Sequence, residues 1–498
     1  MMVGAVACDA TGAGRAADDE GVVVLLPRDV QELDPRFTGD AYGLKVSRLI
    51  FASLVTIDPH SLEVREDLAR EVEVVTPVHY RVTLRPGLRF SDGSALDAKD
   101  VAATFRSVSD RRLGSRYAST YARIARVDVE SPLAVSFHLD GPHATFLTDL
   151  ELPVVRSEDA YVHMGKLGDP QPVGAGPYII TERSRGLIRL AANPHWVHGT
   201  PARPRVALRV IRDDNTRALR LLAGAGDLVI DAVPPLLLPM FEGHPDFQVQ
   251  SAAGISTSYI GINTTAGPLR DARVRRALAM AIDRETLIDA KLAGRARLSR
   301  SWIPPAHWAE SESLPFIPYD PEGARALLAE AGHPGGLRLS LRCGSDRFRT
   351  SVARVLSAMW RQIGVEVEVR PSEVATLIAD LNRGRFELTT LQVPEVIEPH
   401  VLSWFFGGDR IPGPDVEGAN RWRLRNAALD AALERGRRSV VTAERKRAYD
   451  EVQAILAREL PVIPLWHEDV VQVAGDRAAA VKVPRNGRLG TLAGRFDP

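Results

Sequence analysis

Two histidines, two glutamates and a cysteine are the residues of this chain with the most obvious chemical potential. His195 and His198 stand three residues apart, a spacing at which two imidazoles on one helical face can share a metal ion. Asn193-Pro194 on one side and Gly199-Thr200-Pro201 on the other place them in a loop, so structural or surface histidines are expected instead. Glu395 and Glu398 are close enough in sequence to suggest an acid–base pair, but such a pair must face a substrate from opposite sides. Cys343 ends an apolar alternating segment with no histidine nearby, so a packed core thiol is expected. The sequence contains no GxSxG, no HExxH, no phosphate-binding P-loop and no GxGxxG between a strand and a helix. Neither enzyme activity nor a cofactor nor a bound metal is expected.

The elements that carry these residues belong to a large globular chain. It has 498 residues, with 45% hydrophobic and 25% charged, too long for one hydrophobic core. Lys+Arg and Asp+Glu both number 63, giving a formal net charge of +0, which offers nothing to nucleic acid or an anionic membrane. No apolar run reaches the roughly 20 residues that a membrane-spanning helix needs. Two cysteines, Cys8 and Cys343, cannot form a disulfide framework. Met1–Ala7 is short, apolar and rich in small residues, and it leads into Cys8. It resembles the end of a bacterial lipoprotein signal, although it lacks a basic start and is shorter than the roughly 7–15 residues of a full apolar core. Cys8 is expected to be lipidated, with residues 1–20 as signal remnant and flexible tether.

Periodicity predicts alternating strands and helices. Strands are expected at Val22–Leu26, Tyr80–Leu84, Ala134–Leu139, Arg205–Ile211, Leu337–Arg342 and Val365–Val369. Helices are expected over Leu44–Leu54, from Asp97 with Asp100 completing a capping box, over Arg273–Leu292, and after the Asp320-Pro321 cap. Val352, Leu356, Trp360 and Ile363 mark another helix between Leu337–Arg342 and Val365–Val369, making a parallel βαβ unit. Helices over Asn426–Arg435 and Glu444–Leu460 follow, the last stopped by Pro461. Pro/Gly clusters near 170–177 and 266–268 are candidate crossings between lobes.

Four motifs in order resemble the peptide/nickel-type solute-binding proteins of ABC importers. The most specific is Asn263, then Asp271-Ala272-Arg273-Val274-Arg275-Arg276-Ala277-Leu278, then Ala281-Ile282-Asp283-Arg284. A second runs from Tyr80 through Leu84, Gly87, Phe90, Asp92 and Gly93 to Leu96, Ala98, Asp100 and Val101. A third is Gly174-Ala175-Gly176-Pro177-Tyr178 with Asn193-Pro194 and Trp196. The last is Glu459-Leu460-Pro461 through Pro464-Leu465. The resemblance implies an α/β chain with the type II periplasmic-binding-protein fold, two lobes with a hinge plus an extra subdomain. Residues 21–44, 166–260 and 467–498 are then lobe I, 45–165 the extra subdomain and 261–466 lobe II.

The same resemblance implies ligand contacts. In peptide-binding members an acid shortly before a proline takes the peptide ammonium; Glu395, in Glu395-Val396-Ile397-Glu398-Pro399, falls on that position. The family has Asp there and an aromatic before it, where this chain has Glu395 and Leu391-Gln392-Val393-Pro394. Trp404, with Phe405 and Phe406, offers an aromatic wall or a piece of core. Arg347 and Arg349, at a helix start, suit a ligand carboxylate. Tyr117 resembles a cleft tyrosine of oligopeptide binders. The implied function is an extracytoplasmic receptor, periplasmic or at the cell surface. It is expected to be monomeric, to capture a small peptide and to deliver it to a membrane permease. A ligand-sensing role, or a nickel chelate, siderophore or glycan as ligand, remains open.

Overall fold

The structure, a computed structural model, describes residues 21–496; Cys8 and the expected tether lie outside the described residues. Val22–Leu26 is an unbroken apolar run whose five residues are all buried. Such a run suits a strand covered on both faces. It lies inside a seven-stranded sheet, parallel to Arg205–Val210 on one side and Leu228–Ile230 on the other. Alternation along the strand sends Val22, Val24 and Leu26 into one core layer and Val23 and Leu25 into the other. Leu187–Ala192 and Tyr178–Ser184 extend the sheet beyond Arg205–Val210. Val470–Gly475 and Phe247–Ala252 extend it at the opposite edge.

A six-stranded sheet carries the second core. Its order is Ala296–Leu298, Val462–Glu468, Thr257–Ile262, Leu388–Val393, Leu337–Gly344 and Val365–Ser372. The expected βαβ unit is present: Leu337 pairs with Val365 in a parallel register, and helix Arg347–Arg361 makes the crossover. Val352, Leu356 and Trp360 form its buried stripe. The expected helix over Arg273–Leu292 is instead two helices, Ala272–Met280 and Arg284–Leu292. Asp283 ends the continuity by accepting the Thr286 N–H at 3.0 Å, starting a new helix as its cap. The apolar stripe runs through the break because both helices face the same core.

The extra subdomain holds a four-stranded antiparallel sheet of Ala69–Thr76, His79–Leu84, Ala134–Leu139 and Ile124–Ser131. Helix Ala98–Ser109 covers it and opens with the expected Asp97–Asp100 capping box. Helix Ala41–Ile50 runs across the expected 44/45 border and buries Val46, Leu49 and Ile50 in the core of the seven-stranded sheet. Gly174 and Gly176 let the chain pass against this helix's end; a Cβ on Gly174 would lie 2.2 Å from the Ile50 carbonyl oxygen.

The chain crosses between the two large sheets at two adjacent places. One is the link from Phe247–Ala252 to Thr257–Ile262, and the other is Asp469, between Val462–Glu468 and Val470–Gly475. Residues 266–268 lie within the second lobe, in a single turn before helix Ala272–Met280, so they are not a crossing. At the true crossing the two strands touch: a Cβ on Gly254 would stand 2.3 Å from the Glu468 carbonyl oxygen. Paired interlobe strands of this kind make a hinge.

The lobe II core depends on Trp360, fully buried with its indole N–H donating to the Leu278 carbonyl at 2.9 Å. Trp360→Ala is expected to lower stability by about 3–5 kcal/mol, read as an earlier urea-unfolding midpoint by circular dichroism.

Candidate functional site in the interlobe cleft

Beside the hinge a cavity of about 530 Å³ opens between the lobes. Helix Ala41–Ile50 supplies Lys45 and Arg48, and the carboxyl end of strand Leu228–Ile230 supplies Asp231. Glu395 and Glu468 come from lobe II strands and their exits, and Arg485 and Asn486 from the C-terminal segment. Another hollow, of about 340 Å³ around Val30, Leu167 and Arg183, is lined by lobe I alone. Lobe movement cannot close it.

The centre of the cleft's electrostatics is Arg488, with a side chain 8% exposed. Its Nη2 donates to Glu395 Oε2 at 2.9 Å and its Nη1 to Glu151 Oε1 at 2.6 Å. Glu151 also accepts the Ile57 N–H at 3.1 Å and meets Arg48 at 3.3 Å. Charges therefore alternate in sign from Glu395 through Arg488 and Glu151 to Arg48. Burial disfavours the charged guanidinium, yet Glu151 and Glu395 outweigh it and raise the Arg488 pKa. Burial likewise pushes the Glu395 carboxyl up, but Arg488, Arg48 and Lys45 prevail and hold it below the usual carboxylate range.

Other charges on the wall lack such partners. Asp231 has a left-handed backbone, φ 52, uncommon for a residue with a side chain. Its Oδ1 accepts the Val471 N–H at 2.9 Å, and Oδ2 has no hydrogen bond among the described residues. Asp231 opens to cleft water but is otherwise enclosed by protein. Enclosure pushes its carboxyl up to about 6, against the pull of Lys45 and the Val471 N–H, with Glu468 adding to the rise. Lys45 makes no ion pair among the described residues; its Nζ stands 5.1 Å from the Tyr42 ring centre. Arg485 donates to the carbonyls of Ala253 and Pro305 at 2.9 and 3.1 Å, strapping the hinge. Buried Asn486 has an amide nitrogen with no partner.

The residues singled out from sequence are distributed unevenly around this cleft. Glu395 lines it, already bound to Arg488. Arg349 binds Asp346 at 3.0 Å and lines a hollow of about 200 Å³ whose walls Gln392 and Glu468 also line the main cleft. Arg347 is exposed at the same helix start, near Asp213 of lobe I. Tyr117 donates its hydroxyl to the Thr38 carbonyl at 2.8 Å and is close enough to Glu395 to feel its charge, without lining the cavity. Trp404 is not a cleft wall: it is 38% exposed, with the Arg410 guanidinium 5.7 Å from its ring centre. Helix Val401–Phe406 turns Leu402 and Phe406 inward, which leaves Trp404 outside. Phe405 and Phe406 pack on Trp302 at 4.7 and 4.8 Å.

The remaining candidates are dispersed. Glu398 pairs with Arg445, not with Glu395. His198 meets Asp67 at 2.8 Å, and Cys343 is buried in the lobe II core. Among the described residues no group of three or more His, Cys, Asp or Glu is placed to hold a metal. The sequence reading missed Lys45, Arg48, Asp231, Arg485 and Arg488. Only Asp231 carried a usable signal, as the acid directly after a short buried parallel strand, where α/β sheets place ligands.

Replacing Arg488 by Met leaves Glu395 and Glu151 facing each other without their cation. We expect a stability loss of about 3–5 kcal/mol in denaturant unfolding at neutral pH, partly recovered in Arg488→Met/Glu395→Gln. Because the folded Glu395 pKa is lowered, its contribution is complete above the ordinary carboxylate value. It disappears as pH falls through the lowered one, so the gap between wild type and Arg488→Met should narrow in acid.

Comparison with known proteins agrees with this architecture. Residues 63–410 match the family model described as bacterial extracellular solute-binding proteins, family 5 Middle. The glutathione-binding protein GsiB of Salmonella paratyphi A is 27% identical over 465 residues, covering 90% of this chain and 89% of that protein. Protein XP55 of Streptomyces lividans is 29% identical, covering 99% of this chain and 92% of that protein. Among solved structures, NikA from Brucella suis in complex with Fe(III)-EDTA superposes with a TM-score of 0.86 at 22% identity, covering 95% of this chain and 98% of that one. DppA from Helicobacter pylori in complex with peptide STSA gives 0.80 at 22% identity, covering 95% and 96%. No helix among the described residues is long and apolar enough to cross a membrane. With the family model matched over more than half its length, the chain belongs to the bacterial extracellular solute-binding proteins of family 5.

Proposed function

We propose that this protein captures a short peptide or peptide-like amphoteric solute in the interlobe cleft, outside the cytoplasmic membrane, and presents it to the permease of an ABC importer. The observation that carries this reading is a cavity beside a two-stranded crossing, lined by charges of both signs from both lobes. A solute there touches both lobes, so its binding energy favours their approach. Relatives named for glutathione binding, and a fold neighbour holding the peptide STSA, support a peptide-like ligand. In this reading the receptor acts as a monomer, lipidation of Cys8 tethers it to the membrane, and the lobes move about residues 253–256 and Asp469. In the same reading Arg349, which lines the adjoining hollow, meets the far end of a longer ligand.

The test begins with purified protein, denatured, and any released small molecule analysed by mass spectrometry. A thermal-shift screen of di- to pentapeptides follows. Ligand at a hundredfold excess over its Kd adds about 2.7 kcal/mol of stability, so at least one peptide class should raise the Tm by several degrees. A shift given only by metal chelates or glycans overturns the peptide assignment and keeps the receptor role.

A further inference from the structure

Glu395, the acid on which family resemblance places a ligand ammonium, is not free. Arg488 binds it at 2.9 Å and is itself fixed from the other side by Glu151. A ligand ammonium arriving there meets a carboxylate already neutralised, next to a guanidinium that repels it. Asp231 and Lys45, on the lobe I side, are different. Each is charged, each lines the cleft, and neither is in an ion pair among the described residues.

The geometry of this pair is set by Gly487. A Cβ built on Gly487 would lie 2.8 Å from Asp231 Oδ2 and 3.6 Å from Lys45 Nζ. The two charges therefore border one small space, with no ion pair between them among the described residues. Gly487 has φ +62, and its missing side chain keeps that space open. Asp231 is held in a left-handed backbone conformation that presents its carboxylate there. Arg48 follows Lys45 by one turn on helix Ala41–Ile50, with a single contact to Glu151, and Asn486, next to Gly487 in sequence, also lines the cleft.

From this arrangement, and resting on the peptide-like reading above, we infer that the ligand carries an α-amino-acid head group, ammonium and carboxylate on one carbon, which Asp231 and Lys45 hold together. A lone ammonium would satisfy Asp231 and leave Lys45 unpaired when water is excluded; a lone carboxylate would do the reverse. Each uncompensated charge in a closed cleft is costly. Both charges lie within 3.6 Å of one point above Gly487, so a zwitterionic head, with its ammonium and carboxylate on one carbon, supplies both partners at once. In ordinary peptides the ammonium and the terminal carboxylate sit on different residues. Both remain on one carbon in a free amino acid or in a peptide joined through a side-chain carboxyl. The cavity volume, about 530 Å³, lies within the range of sites for ligands larger than one amino acid. The ligand class is thus a short isopeptide-linked peptide.

Two isomers isolate the head group: γ-glutamyl-alanine retains it, and α-glutamyl-alanine, of the same formula and charge, does not. By isothermal titration calorimetry at neutral pH with the full chain, the γ isomer should bind at least about tenfold more tightly, the order of one charged hydrogen bond. Asp231→Asn and Lys45→Met should each abolish that preference, with circular dichroism and Tm checking that both variants fold. Equal affinity, preference for the α isomer, or a preference surviving both substitutions overturns the head-group assignment and leaves the peptide reading standing. No binding of either isomer, where ordinary di- to pentapeptides raise the Tm, overturns it as well. If no peptide of any linkage binds and only chelates or glycans do, the peptide reading itself fails.

Discussion

A single buried guanidinium joins the three parts of this molecule. Arg488 comes from the C-terminal segment, Glu151 from the extra subdomain, and Glu395 from the exit of a lobe II strand. Removing a guanidinium from water costs several kcal/mol, and one carboxylate seldom offsets that. Two carboxylates, in contact through different nitrogens, do so here and fix the direction of the arginine plane as well. The arrangement has a geometric consequence. Glu395 can reach Arg488 only when lobe II lies against the C-terminal segment, so the relative position of the lobes is coupled to the charge state of the cleft.

The hinge places that coupling next to the ligand space. The two crossing strands are in contact at Gly254 and Glu468, where no side chain fits between them. Arg485 ties the Ala253 carbonyl in one crossing to the Pro305 carbonyl in lobe II. Arg295, from lobe II, reaches Glu242 and Ser251 of lobe I, and Asp469 in the other crossing meets Arg297 at 3.3 Å. Polar contacts thus cross between the lobes beside the two hinge strands. Polar contacts exchange for water with modest net cost, whereas a large apolar interface would hold the lobes in one arrangement. This is the balance a receptor requires if its solute is to decide the position of the lobes.

Much of the fold was legible in sequence because it is written locally. Val22–Leu26, Ala134–Leu139, the Asp97 capping box and the parallel βαβ unit around Trp360 all follow from periodicity and caps within short windows. Errors arose where a local pattern is shared by two structures. The stripe from Val274 to Leu292 serves two helices on one core as well as it would serve one. Three consecutive aromatics at Trp404–Phe406 do not show which of them faces inward; the phase of helix Val401–Phe406 decides it. The cleft was less legible. Glu395 was found through its motif, but its partner Arg488 lies 93 positions away and has no periodic or spacing signal. Lys45, Arg48 and Asp231 are ordinary charged residues in sequence, and only the packing of helix Ala41–Ile50 into the core of the seven-stranded sheet brings them to one cleft.

The two kinds of charge in the cleft do different work. Those in the Glu395–Arg488–Glu151–Arg48 series satisfy one another and need no solute. Their role is to define the arrangement of the parts. Asp231 Oδ2 and Lys45 Nζ face an open space, where water or something that replaces it supplies their partners. Approach of the lobes excludes that water, which makes closure around an uncharged or singly charged solute unfavourable even when the solute fits sterically. Specificity then comes less from added attraction than from the penalty imposed on the wrong occupant. Because the penalty is incurred only as the lobes approach, recognition of the solute and completion of the lobe movement become one event.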